Sequence, residues 1–181
     1  ENSTAKEKFQ ELLNVIDELE DTTIIFTKAN SDTDGRVINK MIDEYVVKNS
    51  HKSIGFTSLG QIRYLSALQY VDAMVGNSSS GLLESPSFRI GTINIGDRQK
   101  GRIKADSVID CESTKEGILN AFNKLYSKEF KQTLSNIENP YGDGCASKTI
   151  IEILKSIDLN HILKKSFYNL KLNQESKWEL E

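Results

Sequence analysis

The chain has 181 residues, of which 38% are hydrophobic and 27% charged, and its formal net charge is −3. That length suits one domain with a sizeable core, and the composition is that of an ordinary soluble globular protein. Scattered basic residues leave no electrostatic footprint for nucleic acid or an anionic membrane, no apolar run is long enough to span a bilayer, and no signal-peptide pattern opens the chain.

In chain order, Phe9, Leu12, Leu13, Ile16 and Leu19 recur at three- and four-residue steps, which predicts an amphipathic helix over 5–20. TTIIFT, Thr22 to Thr27, is β-branched and apolar and reads as a buried strand. Asp34 to Lys48 is helical again, with Val37, Ile38, Met41, Ile42 and Tyr45 or Val46 on one face. KSIGFT (52–57) is the second strand, followed by a helix from Gln61 to Gln69 with Ile62, Leu65 and Leu68 inward. DAMVG (72–76) is the third strand, and a short helix follows around Gly81 to Pro86. GTINIG (91–96) and SVIDC (107–111) are the fourth and fifth strands, and Thr114 opens a helix through Leu125. After a turn at Asn139 to Gly144, a helix is predicted from Ala146 to Ile157 and a short last one from Leu159 to Lys164.

Strand and helix alternating in this way predict parallel pairing with right-handed crossovers. Apolar strands fit a sheet covered on both faces. The expected fold is α/β, a single Rossmann-like doubly wound domain over residues 1–167. Residues 168–181 form a polar tail expected to fray, part of which, Leu180-Glu181, reads as a cloning remnant. The chain opens at Glu1 without a methionine, as a piece of a larger protein does.

Cys111 and Cys145 form neither a CxxC pair nor a disulfide framework, so reduced cytoplasmic thiols are expected. His51 and His161 stand apart from any second ligand, so neither a metal nor a cofactor is expected.

Ligands of an open parallel sheet bind outside the carboxyl ends of its strands. Three segments converge there: KANSDTDGR after the first strand, GNSSSG after the third and GDRQKGR after the fourth. In Gly76 to Glu84, small residues allow close backbone approach, and Ser78, Ser79, Ser80 and Gly81 offer hydroxyls and amides to an anion at the start of a helix. A diphosphate suits such a place; an ordinary serine N-cap is the plainer alternative. Glu84, in the same short helix, can accept both hydroxyls of a ribose or simply be solvated. Arg98 can pair with phosphate oxygens, against the alternative of a flexible basic loop shared with Lys100 and Arg102. Asn30 and Asp32 are turn formers first and ligand groups second. Leu59 and Gly60 offer backbone groups to a base edge. No Ser-His-Asp, Cys-His or paired-carboxylate arrangement stands out, so the chain reads as a binder of a reactant with no catalytic residue of its own.

GNSSSGLLESPSFRIGTINIGDRQKGR, together with NPYGDGCASKTIIEILKSIDL, closely resembles the C-terminal half of the hydrolysing UDP-N-acetylglucosamine 2-epimerases, bacterial enzymes of sialic-acid biosynthesis. The similarity runs from about Ala5 to Phe167. It implies one half of a two-domain enzyme of the glycosyltransferase-B fold, which converts UDP-N-acetylglucosamine to N-acetylmannosamine and UDP by elimination to a glycal and then hydration. Carried across by motif, Ser78 and Ser79 contact the diphosphate, Glu84 the ribose and Arg98 the phosphates. Asn30 and Asp32 lie near the cleft, and Gly142 to Gly144 face the sugar. The acid/base carboxylates belong to a missing N-terminal domain, as does a histidine-containing segment upstream of Glu1. The fragment alone is therefore expected to be inactive, and its parent to be a homo-oligomer. Two rivals remain open: the C-terminal half of another glycosyltransferase-B enzyme, and a non-enzymatic α/β regulatory module of the receiver type.

Overall fold

The computed structural model describes residues 4–29, 33–142, 144–160 and 163. Helix α1, Ala5–Glu18, opens on a capping box in which the Thr4 hydroxyl accepts from the Glu7 amide and the Glu7 carboxylate accepts from the Thr4 amide. Strand β1 (Ile24–Thr27), helix α2 (Thr33–Lys48), strand β2 (Ser53–Phe56) and helix α3 (Gly60–Ala67) follow. Then come strand β3 (Ala73–Gly76), the one-turn helix α4 (Ser80–Leu83), a 3-10 turn (Ser85–Phe88), and strands β4 (Gly91–Ile95) and β5 (Val108–Cys111). Helices α5 (Lys115–Leu125) and α6 (Lys128–Ser135) complete the first compact unit, which ends at residue 143.

All strand pairs are parallel, as the alternating pattern predicts, and Ile24 of β1 stands opposite Ser53 of β2, Val75 of β3 opposite Ile93 of β4, and Ile93 opposite Ile109 of β5. Among the described residues the five strands nevertheless form two ladders, β1-β2 and β3-β4-β5, rather than one continuous sheet. The helices unite them. One cluster of buried side chains contains Phe26 of β1, Met41, Ile42 and Tyr45 of α2, Ile93 and Ile109 of the second ladder, and Ile118 and Phe122 of α5. Helix α1 touches both α2 and α5, and its Val15 is completely buried. Burying such a side chain contributes about 1.5–3 kcal/mol.

Coverage of both faces holds for β4, where Gly91 through Asn94 are buried, but not for the first ladder. Ile25 and Ile54, opposite one another in the register, are both exposed, at 44% and 47%. In α3 the predicted inward face is only partly inward: Leu68 is buried at its end, whereas Ile62 is 82% exposed. Eight residues give that helix too few turns to commit a whole stripe. Helix α6 has no counterpart among the predicted elements; KEFKQTLS is polar apart from Phe130, which is buried, and Leu134. Its start was nonetheless written in Ser127, whose hydroxyl accepts from the Phe130 amide at 3.2 Å.

The second unit begins at Gly144 and contains helix α7, Ala146–Ser156. Its N-cap residue, Cys145, adopts the left-handed conformation at φ 62°. Half of the short helix predicted over 159–164 lies outside the described residues, and Leu159 and Asn160 are not helical.

Candidate functional site

Strands β3 and β4 run side by side in the same direction, so the turn leaving Gly76 and the loop leaving Ile95 emerge at the same end of the sheet. Gly76 takes φ 145°, where a Cβ is strained, and so turns the chain sharply off the strand. Asn77 and Ser78 are exposed, Ser79 is half-buried and caps α4, and Ser80 begins it. The Ser78 hydroxyl accepts from the Ser80 amide at 3.4 Å, and the Ser79 carbonyl takes the Leu82 and Leu83 amides at 2.9 and 3.0 Å.

Gly81 is the closest approach. A Cβ there would lie 2.5 Å from Thr92 Cγ2, and the Thr92 hydroxyl donates to the Gly81 carbonyl at 3.0 Å. Gly81 thus sets the depth at which α4 rests on β4, and the serines stand above it. Glu84 does not lie inside the helix as expected but at the junction of α4 and the 3-10 turn. Pro86 at the start of that turn lacks an amide hydrogen, so the regular ladder stops and Glu84 becomes a corner residue. Its Oε2 is buried and has no hydrogen-bond partner among the described residues.

The β4 loop closes onto this turn. Arg98 Nη1 donates to Asn77 Oδ1 at 3.4 Å, and Gln99 Nε2 to the Asn77 carbonyl at 2.8 Å. On the far side, the Tyr64 hydroxyl of α3 is hydrogen-bonded to the Ser80 hydroxyl. Burial pushes the Tyr64 phenol upward; the Ser80 bond opposes this, and the Glu84 charge adds to the rise, so Tyr64 stays a neutral partner. Below, Asn139 Nδ2 donates to the Leu83 carbonyl and to Ser87 Oγ, both at 2.8 Å, and the Tyr141 hydroxyl donates to the Ile103 carbonyl at 3.0 Å.

Of the residues singled out from sequence, Ser78 to Gly81 are contiguous, Glu84 follows at the end of the same short helix, and Arg98 is brought to the turn through Asn77. Leu59 precedes α3, whose Tyr64 reaches Ser80. Asn30 and Asp32 lie outside the described residues, as does residue 143 within the turn from Gly142 to Gly144. Asn77, Gln99, Tyr64 and Asn139 were not singled out. Gln99 stands inside the DRQ motif and Asn139 inside NPYG, so the signal was present but read as loop. A separate surface cavity of about 400 Å³, lined by Lys104 to Asp106 and Asn136 to Pro140, shares no residue with the serine turn or Arg98.

The turn therefore assembles hydroxyls, backbone amides, one guanidinium and one corner carboxylate, a set suited to holding an anionic ester that also carries hydroxyls. The family model for UDP-N-acetylglucosamine 2-epimerase matches residues 1–155. The chain belongs to this epimerase family. It is 47% identical over 169 residues to the GDP/UDP-N,N'-diacetylbacillosamine 2-epimerase (hydrolyzing) of Campylobacter jejuni, across 93% of this chain and 43% of that protein. It is 34% identical over 169 residues to polysialic acid biosynthesis protein P7 of Escherichia coli, across 92% of this chain and 43% of that one. Among solved structures, the UDP-GlcNAc 2-epimerase of Methanocaldococcus jannaschii in complex with UDP-GlcNAc and UDP superposes with a TM-score of 0.65 at 19% identity, over 83% of this chain and 41% of that one. The fold is thus the α/β fold of one part of these epimerases, and the chain spans less than half the length of the relatives it matches. No helix among the described residues is long and apolar enough to cross a membrane.

Proposed function

We propose that the chain is the nucleotide-holding half of a cytoplasmic hydrolysing 2-epimerase that converts UDP-N-acetylglucosamine to N-acetylmannosamine and UDP. The observation that carries this reading is the joining of Arg98 and the serine turn through Asn77, within a stretch matched by the epimerase family model. In this reading the Ser78 and Ser79 hydroxyls, with the amides of the turn, take the diphosphate, and Arg98 neutralises it from the β4 side. Ser80 and Gly81 set the turn's position, through Tyr64 and Thr92. The buried Glu84 oxygen, without a hydrogen-bond partner among the described residues, supports its accepting from the ribose hydroxyls. Leu59 borders the base.

Residues 1–167 act as one nucleotide-binding domain, followed by a polar tail. Elimination to a glycal and its hydration need acids and bases that this set lacks, so they come from the other domain of the parent, a homo-oligomer. Separating the halves removes the positioning that makes a bound reactant react, and this chain alone is inactive.

A second reading concerns the sugar. The 47% identity to an enzyme named for N,N'-diacetylbacillosamine favours a substrate with a second acetamido group over N-acetylglucosamine. The nucleotide assignment is common to both. Calorimetry on the full-length parent tests it: Ser79→Ala and Arg98→Ala each weaken UDP binding by about 1–3 kcal/mol, the cost of losing a hydrogen bond to a charged group. Unchanged affinity in both variants removes the assignment. Product analysis with each UDP-sugar, without acceptor, then separates the two sugars and excludes a transferase if a free 2-epimerised sugar forms.

A further inference from the structure

Five lysines among the described residues pair with a carboxylate: Lys28, Lys40, Lys52, Lys104 and Lys115. Arg98 is held differently. Among the described residues its guanidinium meets no Asp or Glu oxygen; its side-chain partner is the neutral Asn77, with Nη1 donating to Oδ1 at 3.4 Å. The stretch beside it adds no compensating charge, because Ala73 to Leu83 contains neither an acidic nor a basic residue. The positive charge of Arg98 is therefore fixed at the serine turn without being cancelled by its partner.

The orientation of Asn77 follows from what a guanidinium can do. It has only donors, so the atom facing it is the Asn77 side-chain oxygen, and the amide nitrogen with its two hydrogens is turned from it. No described residue accepts a hydrogen bond from that nitrogen, and Asn77 is exposed. Its main chain, by contrast, is fixed, because the buried Gln99 donates to its carbonyl at 2.8 Å. Free donors on a tied backbone, next to the Ser78 hydroxyl, form a contact ready for an anion. An aspartate at this position would have nearly the same shape and the opposite effect. It offers acceptors alone, forms a charge-assisted pair with Arg98 and repels phosphate oxygens.

We propose that Asn77 is a binding residue that sets the charge selectivity of the serine turn. Its Oδ1 aims Arg98 without neutralising it, and its Nδ2 donates to the same anion, so the turn takes a multiply charged phosphate ester. The inference rests on the nucleotide reading above and deepens it, adding a ligand contact outside the serine run. The ligand it selects is a diphosphate ester, whose charge exceeds that of one guanidinium and leaves an oxygen for the amide. A carboxylate before Ser78 would instead supply Arg98 with a permanent partner and leave the turn without its cation.

Calorimetry with UDP, and thermal unfolding without ligand, test this on the full-length parent and its Asn77→Asp and Asn77→Ala variants. Unliganded melting is expected to be unchanged, because the altered side chain is exposed and the Gln99 bond goes to main chain. UDP affinity falls on the order of tenfold in Asn77→Ala, which loses the donor but leaves the Arg98 charge free. It falls on the order of a hundredfold in Asn77→Asp, which loses the donor and cancels that charge as well. Raising the salt concentration weakens UDP binding less in Asn77→Asp than in the unaltered parent, whereas Asn77→Ala keeps the parent's salt dependence. Equal losses in the two variants, or one salt dependence in all three proteins, overturn the proposal. So does a loss of affinity matched by a fall in unliganded melting, which makes Asn77 a structural residue. If the unaltered parent does not bind UDP, the nucleotide reading falls and this inference with it. If the parent and both variants bind UDP equally well, only the assignment of Asn77 falls.

Discussion

Gln99 donates its side-chain amide to the carbonyl of Asn77 at 2.8 Å, so a buried residue of the β4 loop holds the first exposed residue of the β3 turn. Arg98, its neighbour, reaches the side chain of the same asparagine. Gln99 thus acts as a positioning residue, fixing the distance between a guanidinium and a run of hydroxyls. Gln99→Leu keeps the apolar packing but loses the tie. It is expected to cost about 0.5–1.5 kcal/mol of stability, as one hydrogen bond does. In the parent it should weaken UDP binding while leaving free-sugar binding alone; the measurements are urea unfolding and calorimetry.

Gly81 allows α4 to rest on Thr92. Gly81→Ala drives a methyl group to 2.5 Å from Thr92 Cγ2 and is expected to destabilise by about 1–3 kcal/mol, the usual range for overpacking. Thr92→Ser removes that methyl and keeps the hydroxyl that bonds the Gly81 carbonyl. In the double variant the loss should be smaller than the sum of the singles, and a double-mutant cycle by thermal unfolding measures the difference. Strict additivity would show that the contact relaxes at no cost.

The two cysteines should differ in reactivity. Burial, with the charge of Asp110 beside it, pushes the Cys111 thiol up to about 11, so at pH 8 almost none of it is thiolate. Cys145 is an exposed free thiol. Iodoacetamide at pH 8 is expected to modify Cys145 first, with Cys111 reacting only on unfolding or at pH above 10. Peptide mass mapping against time gives the order, and faster labelling at Cys111 would contradict the burial.

Asp110 carries an acid-sensitive contribution. Burial raises its carboxyl, but hydrogen bonds from Lys104 and Asn94 and the Lys104 charge outweigh burial and hold it below its ordinary value. A lowered folded-state value stabilises the fold above the unfolded carboxylate's pKa of about 4, and that stability disappears as pH falls through the folded value. The side chain is 54% exposed, so solvent screening limits the contribution to about 0.2–1 kcal/mol. Asp110→Asn should be less stable than the natural chain at pH 7, and the gap should narrow as the pH falls below the unfolded carboxylate's value of about 4. Urea midpoints at the two pH values check this.

Much of the fold was legible because the signals were local and redundant. Thr4 with Glu7, and Thr114 with the Gly117 amide, announce helices through side chains that satisfy backbone donors. IIF and INI announce strands through β-branching. The serine turn was legible for a similar reason: small residues after an apolar strand have few other uses. What stayed hidden depends on residues far apart. Nothing near Tyr64 shows that its hydroxyl reaches Ser80, and nothing near Asn139 shows that it supports Leu83 across 56 positions. The exposed Ile25 and Ile54 read as core because apolar strands usually are; their outer face lacks a covering element among the described residues. Glu84 sits at a corner rather than within a helix because Pro86, two residues on, cannot continue the amide ladder.

Helix α1 is fastened at its far end by α5: Glu11 accepts from the Lys115 amide across 104 positions, and Glu18 pairs with the Lys115 ammonium. A ribosome therefore releases the apolar face of α1 long before α5, which completes its cover, exists. Helix α1 must wait with part of its apolar face uncovered while some hundred further residues are synthesised. Slow closure of such a distant contact makes the nascent chain a natural client for chaperones, and translation speed between α1 and α5 a determinant of yield.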